Sequence, residues 1–218
     1  MDEEEPLAYQ IGDQPFLGLT IHLDSHPLIP RPETEWWTDK LLTHVGRSTS
    51  DIKFLDLCAG SGAIGCAALK MLPEAQVYFG EIDPAHEATI LKNIRENHLD
   101  KSRAHIHIGD LFDALPADAT FDVIAVNPPY IPADRDLPAS VADYEPALAL
   151  RAGSDGLAII RRVAVSARRR LAENGVLWCE CDSAHADAAC TFFADQGLHA
   201  DILNDQYCEP RVIRATMI

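Results

Sequence analysis

Long apolar runs are missing from this chain. No stretch approaches the ~20 apolar residues that a membrane span needs. The acidic opening, MDEEEPLAY, has neither the positive charge nor the apolar core of a secretory signal. A soluble, cytoplasmic protein is expected. Positive charge is scarce as well: 18 Lys and Arg stand against 34 Asp and Glu, a formal net charge of −16. Proteins that grip a phosphate backbone present a basic face, so nucleic acid is disfavoured as the main partner. The one cationic run, RRVAVSARRR (161–170), reads as the solvent face of a helix. Metal and disulfide frameworks are absent too. Cys58, Cys66, Cys179, Cys181, Cys190 and Cys208 form no CxxC pair, and buried reduced thiols are expected. Cys179 and Cys181 fall in a strand-like run, where their side chains are expected to leave by opposite faces. The histidines form no HExxH-like array, so no metal site is expected, and His105 and His107 read as surface or edge positions. There is no internal repeat and no low-complexity tract.

What is present is an alternation of strands and helices. Residues 15–29 read as two short strands around a turn at Asp24-Ser25, and Thr34 to Val45 as a helix ending at Gly46. RSTSD follows as a polar connection. From Ile52 onward the pattern repeats: IKFLDL, QVYFGEI, AHIHI, FDVIAV and GVLWCEC are apolar, strand-length runs separated by helical segments. Asp83-Pro84 reads as the start of a helix with Ala88, Leu91 and Ile94 on its apolar face. LHADIL and RVIRATM complete the set. Repeated β-α units predict a mostly parallel sheet with helices on both faces. The 218 residues divide into a hairpin-and-helix segment, 1–50, packed on a catalytic domain, 51–218.

The first strand runs into DLCAGSGAIG, and Gly60-x-Gly62-x-x-Gly65 matches a dinucleotide fingerprint. Glycines let the backbone turn sharply and approach a ligand, and the following helix offers free N–H groups. Glu81, ending the second strand, suits ribose hydroxyls. The loop alone fits a nicotinamide dehydrogenase, a nucleoside-cofactor methyltransferase, or tight packing with no ligand. Asp56 tips the balance. An acid beside the loop repels a pyrophosphate but suits an ammonium group. Methionine carries such a group, so S-adenosylmethionine fits better than NAD. Asp110, after the third strand, suits an adenine amino group, with Leu111 or Phe112 against the ring.

The fourth strand ends in NPPY. Pro128 and Pro129 fix φ and remove two N–H donors, so this turn is stiff and rich in acceptors. The Asn127 side-chain carbonyl and the Pro128 backbone carbonyl together suit a planar NH₂ group, and Tyr130 can pack on its face. Such a nitrogen is a poor nucleophile, because its lone pair is delocalised. Two acceptors orient it and stabilise positive charge as it forms. A rigid turn beside an edge strand is the plain alternative. The turn suits an adenine amino group and a glutamine side chain equally.

Further stretches separate these two. With PLAYQIGDQPFLGL, LIPRPETE, DLCAGSGAIG, GEIDP, GDLF, NPPYIP, YEPALALRAGSDGLAIIRR and EPRVIRA, the chain resembles the release-factor glutamine N5-methyltransferases from about Pro6 to the C-terminus. LIPRPETE and YEPALAL…GSDGL are not usual in the adenine methyltransferases that share NPPY. The resemblance implies a class I methyltransferase, Rossmann-like fold: a seven-stranded sheet with a final antiparallel strand. It implies S-adenosylmethionine as donor and the glutamine of the Gly-Gly-Gln loop in peptide-chain release factors as substrate. By position it implies that Cys58, Ala59, Gly60, Ser61, Gly62, Glu81, Leu111 and Asn127 contact the cofactor. Asn127, Pro128, Pro129 and Tyr130 would hold the amide, and Arg31 and Pro32 would lie in the loop leading to it. The family usually has glycine at Cys58, so a slightly recast loop is expected. It also usually begins with a small helical domain, and almost nothing precedes Pro6 here. The remaining alternatives are an amino-methyltransferase acting on adenine in nucleic acid or on glutamine of another protein, a nicotinamide oxidoreductase, and a catalytically silent binding module.

Overall fold

A computed structural model describes residues 5–46 and 52–218. The connection expected at RSTSD, and the boundary drawn between 50 and 51, lie outside the described residues. Helix α1 (Leu7–Ile11) ends on Gly12, whose φ of 92° closes it in a left-handed turn. Strands β1 (Asp13–Phe16) and β2 (Leu19–His22) then pair antiparallel, with Phe16 opposite Leu19. The hairpin therefore turns at Leu17-Gly18, not at Asp24-Ser25. Leu17 and Gly18 both hold positive φ, 46° and 68°, which gives a two-residue turn the twist its strands need. Asp24 pairs with Lys92 instead, and the Ser25 hydroxyl meets His86 and Thr89.

Helix α2 (Pro32–Val45) starts two residues earlier than expected, because proline is well suited to the first helical position. It buries Thr34, Trp37, Thr38, Leu41, Leu42 and Val45, a stripe at helical spacing. The main sheet follows from β3 (Lys53–Leu57), β4 (Gln76–Glu81), β5 (Ala104–Ile108), β6 (Phe121–Val126), β7 (Leu171–Glu180), β8 (Leu198–Asn204) and β9 (Pro210–Met217). Its order is β5-β4-β3-β6-β7-β9-β8. The first five strands are parallel, and β9 runs antiparallel to both β7 and β8. This is the seven-stranded, mostly parallel sheet anticipated from the sequence. Chain order reverses direction between β3 and β6, which opens a crevice at their carboxyl ends.

The helices between the strands are α3 (Ala63–Met71), α4 (His86–Glu96), the short α5 (Ala139–Ala142) and α6 (Ala147–Leu150), α7 (Ala158–Arg170) and α8 (Ala186–Asp195). One sheet face packs Phe54, Phe79, Val123 and Trp178 against the hairpin, α2, α3 and α4. The other packs Leu55, Ile124, Val126 and Leu177 with residues of α7 and α8. Residues two apart on a strand share a face, so Cys179 and Cys181 do not part: both are buried in this second half of the core. α4 begins at His86, because the Asp83 carboxylate accepts from the Ala85 N–H in a turn before the helix. Its buried face is His86, Thr89, Ile90, Asn93 and Ile94, while Ala88 is exposed. Asn93 earns burial by hydrogen bonding: it accepts from the His22 N–H and donates to the His22 and Ser61 carbonyls.

The last glycine of the loop serves packing. A Cβ on Gly65 would lie 2.2 Å from the Phe79 ring, which is fully buried. Gly65→Ala should lower stability by roughly 1–3 kcal/mol through overpacking. Chemical denaturation checks this, and an unchanged midpoint would show that the ring can yield.

Candidate active site

The glycine loop forms one wall of a cleft at the crevice. It turns tightly, with the Gly62 N–H donating to the Ala59 carbonyl at 2.7 Å. Gly60 and Gly62 take φ of 54° and 77°. A Cβ on Gly60 would meet only Pro27, at 3.8 Å, so the loop's tip is open. Cys58 adopts φ 61°, the left-handed conformation that glycine holds without strain, at a cost of roughly 1–2 kcal/mol. Burial pushes its thiol pKa up, so it stays protonated and unreactive. Leu111, on the opposite wall, is likewise left-handed at φ 49°.

Two acids expected beside the loop do different work. Glu81 faces the cleft, and its carboxylate also accepts from the Gly60 N–H at 2.7 Å and the Asp83 N–H at 2.9 Å. Asp56 does not face the cleft. It is buried beneath the loop and accepts from the Gly65 N–H at 2.8 Å, while its Oδ1 has no partner among the described residues. The cleft, about 240 Å³, is lined by Cys58, Gly60, Glu81, Asp83, Asp110, Leu111, Asn127 and Pro129, with Leu28, Ile82, Leu148 and Ile159 as apolar walls. Arg162 also reaches it and pairs with Asp110 at 2.8 Å, so the cationic run of α7 is not wholly a solvent face. Glu81, Asp83 and Asp110 thus outnumber the single guanidinium. Such a set suits a cationic ligand bearing hydroxyl and amino donors, and a pyrophosphate would meet like charge. Ala59, Ser61 and Gly62 belong to the loop but are buried and do not line the cleft.

The NPPY turn leaves β6 on the other side of the crevice. Asn127 and Pro129 line the cleft, and Pro128 is buried. Asn127 donates through Nδ2 to the Thr34 hydroxyl at 3.2 Å. Tyr130 lies outside the cleft wall and donates its hydroxyl to Glu180 Oε1 at 3.1 Å. Glu180, at the end of β7 and 1% exposed, also accepts from Thr34 Oγ1 and Trp37 Nε1, each at 2.7 Å. Burial pushes its carboxyl pKa up, and these three donors hold it back.

The turn is braced by the segment that carries GSDG. Ile131 donates to the Leu150 carbonyl, Ala152 to that of Ile131, and Ala133 to that of Gly153. The Arg151 guanidinium binds the Pro132 and Arg135 carbonyls. Gly156 is required here: φ is 72°, and a Cβ would lie 2.4 Å from the Tyr130 carbonyl. At the mouth, Glu145 is buried and accepts from Arg31 and from the Ile29 N–H. Arg31 precedes α2 and Pro32 begins it; neither lines the cleft, but the tie places Leu28 and Pro146 on its rim. Thr34, Glu145, Glu180 and Arg162 were not singled out from the sequence. The available signal was Glu180 itself, an acid inside the apolar run GVLWCEC.

Among the described residues there is no metal-binding cluster, and no helix is long and apolar enough to cross a membrane. The methyltransferase small domain family matches residues 37–142. A protein of Rhodopirellula baltica named release factor glutamine methyltransferase is 35% identical over 205 residues, covering 92% of this chain and 69% of that protein. One of the same name from Mycolicibacterium smegmatis is 32% identical over 98% of this chain and 75% of its own length. Among solved structures, a methyltransferase from Pyrococcus furiosus superposes with a TM-score of 0.64 at 15% identity, over 93% of this chain and 91% of that one. The Thermus thermophilus 16S rRNA N2 G1207 methyltransferase, in complex with AdoMet and guanosine, gives 0.63 at 20% identity, over 94% of this chain and 50% of that one. At such identities the two structures establish the fold alone.

Burial raises the Asp56 carboxyl pKa well above the ordinary carboxylate range. The folded chain then holds this proton more tightly than the unfolded chain does. Its stabilising contribution is present below the ordinary range and is lost as pH rises through the raised value. Asp56→Asn has no such proton, so its thermal stability relative to wild type should improve as pH rises above the ordinary carboxylate range. A pH-independent difference in melting temperature would contradict this.

Proposed function

The chain belongs to the release factor glutamine methyltransferases, and from that premise we propose that it methylates the side-chain amide nitrogen of the glutamine in the Gly-Gly-Gln loop of peptide-chain release factors. The donor is S-adenosylmethionine. The observation that carries the reading is that Asn127 shares one cleft with the glycine loop, Glu81 and Asp110.

Those residues suit the donor chemically. Cys58 and Gly60 bring backbone close to it, with Ala59, Ser61 and Gly62 shaping the loop between and after them. Glu81 accepts from ribose hydroxyls, and Asp110 accepts from the adenine amino group beside Leu111. Asp56 acts through the loop, because its carboxyl is buried beneath it. When bound, the sulfonium supplies a methyl carbon open to in-line attack. Asn127 Oδ1 and the Pro128 carbonyl accept the two amide hydrogens, and the proline pair holds these acceptors in fixed geometry. As the nitrogen gains positive charge, both acceptors stabilise it. The departing proton is acidic enough to pass to water, so no general base is asked of the chain. Tyr130 steadies the turn through Glu180, and Arg31 and Pro32 shape the entrance for a protein loop. A net charge of −16 favours a protein partner over nucleic acid.

Mass spectrometry of a release factor incubated with enzyme and donor should find one added methyl on glutamine. Asn127→Ala should lower kcat by roughly 10²–10³-fold and leave donor affinity within a few-fold. Normal turnover by this variant would contradict the assignment.

A further inference from the structure

We propose that Thr34 and Glu180 form a positioning relay that decides which end of the Asn127 side-chain amide faces the cleft. The proposal rests on the reading that Asn127 receives the substrate amide. An asparagine side chain has two ends of nearly equal size. One is a carbonyl that accepts, the other an NH₂ that donates, and only hydrogen bonding chooses between them. A substrate NH₂ can be received by the carbonyl end alone. The flipped side chain would set donors against donors.

The chain carries a device that selects the productive end. Glu180 is 1% exposed, and an ionised carboxylate can only accept. Its Oε2 takes hydrogen bonds from Thr34 Oγ1 and Trp37 Nε1, both at 2.7 Å. Thr34 has a single hydroxyl proton, and it is committed to Glu180. Thr34 therefore presents only lone pairs to Asn127. Nδ2 of Asn127 lies 3.2 Å from that oxygen and donates to it. Oδ1 is left as the free end, on the side of the cleft that Asn127 lines. Burial raises the Glu180 carboxyl pKa, and the three donors, Arg211 nearby and the adjacent N-terminal turn of α2 oppose that rise. The acceptor role itself is read from the geometry, since Trp37 Nε1 can only donate to Oε2 and Thr34 Oγ1 meets the same oxygen.

This gives three sequence features one purpose. Thr34 is the third residue of the helix that Pro32 begins, and Trp37 follows on the same face. Glu180 interrupts an otherwise apolar strand end. A purely structural role would be served as well by an apolar side chain in place of the buried acid.

Thr34→Val keeps the shape and removes the hydroxyl, freeing the amide to flip. Thr34→Ser keeps the hydroxyl. With wild-type enzyme, release factor and S-adenosylmethionine, Thr34→Val should lower kcat by about ten- to a hundredfold. KM for the release factor and the Kd for the donor should stay within about twofold, and Thr34→Ser should restore most of the turnover. Should Thr34→Val fold poorly, Glu180→Gln provides the second measurement. Its carbonyl can still accept from Thr34 and Trp37, so it should retain far more kcat than Glu180→Leu. If wild type methylates glutamine and Thr34→Val, or in its place Glu180→Leu, turns over at the wild-type rate, the relay alone is overturned. If wild type leaves glutamine unmodified, the functional reading is overturned and the relay falls with it.

Discussion

A carboxylate without water must be surrounded by donors, and Glu180 satisfies that requirement with side chains from separate parts of the chain. Thr34 and Trp37 come from α2, and Tyr130 from the turn after β6. Leaving one of those donors out would expose a buried charge to an unmet demand worth several kcal/mol. The cost of burying the acid therefore acts as a constraint on position. It holds the start of α2 against the end of β7 and brings the NPPY turn into register with both. Trp37 packs tilted against Trp178, with ring centroids 6.4 Å apart, so the same contact also seals the core beneath it.

The crevice itself is a consequence of strand order. β4 and β5 extend from one side of β3, while β6 and β7 extend from the other. The loops that leave β3 and β6 must therefore diverge, and the space between them cannot be filled by either. The glycine loop closes one side, held by Glu81 through Gly60 and by Asp56 through Gly65. The proline turn closes the other, held by Glu180 and braced by the segment from Leu150 to Gly156. The ion pair between Arg31 and Glu145 joins the two covering loops at the rim. Asp56, Glu81 and Glu145 thus fix backbone, Glu180 fixes side chains, and Glu81 also faces the cleft together with Asp83 and Asp110.

Much of this was legible in the sequence. Apolar runs of strand length alternate with helical segments, so the sheet and its helices could be laid out from pattern alone. The stiffness of the NPPY turn was legible as well, because two prolines leave few conformations and remove two N–H donors. Other features were hidden for physical reasons. The hairpin turn depends on positive φ at Leu17, which a leucine does not advertise. Cys58 accepts a left-handed conformation that its side chain disfavours, since the surrounding loop over-determines it. Strand alternation assigns Asp56 to a face of the sheet, but not to the space under the loop where α3 begins. Glu180 was visible as an acid in an apolar run, yet its donors lie far away in sequence at Thr34, Trp37 and Tyr130, and no local pattern connects them.

The most direct test is a crystal structure with S-adenosylhomocysteine and a peptide containing Gly-Gly-Gln. The account predicts the peptide's glutamine nitrogen within about 3.2 Å of both Asn127 Oδ1 and the Pro128 carbonyl oxygen, with Asn127 Nδ2 still on Thr34. A glutamine amide bound away from this turn, or a nucleoside bound outside the cleft beside the glycine loop, would contradict it.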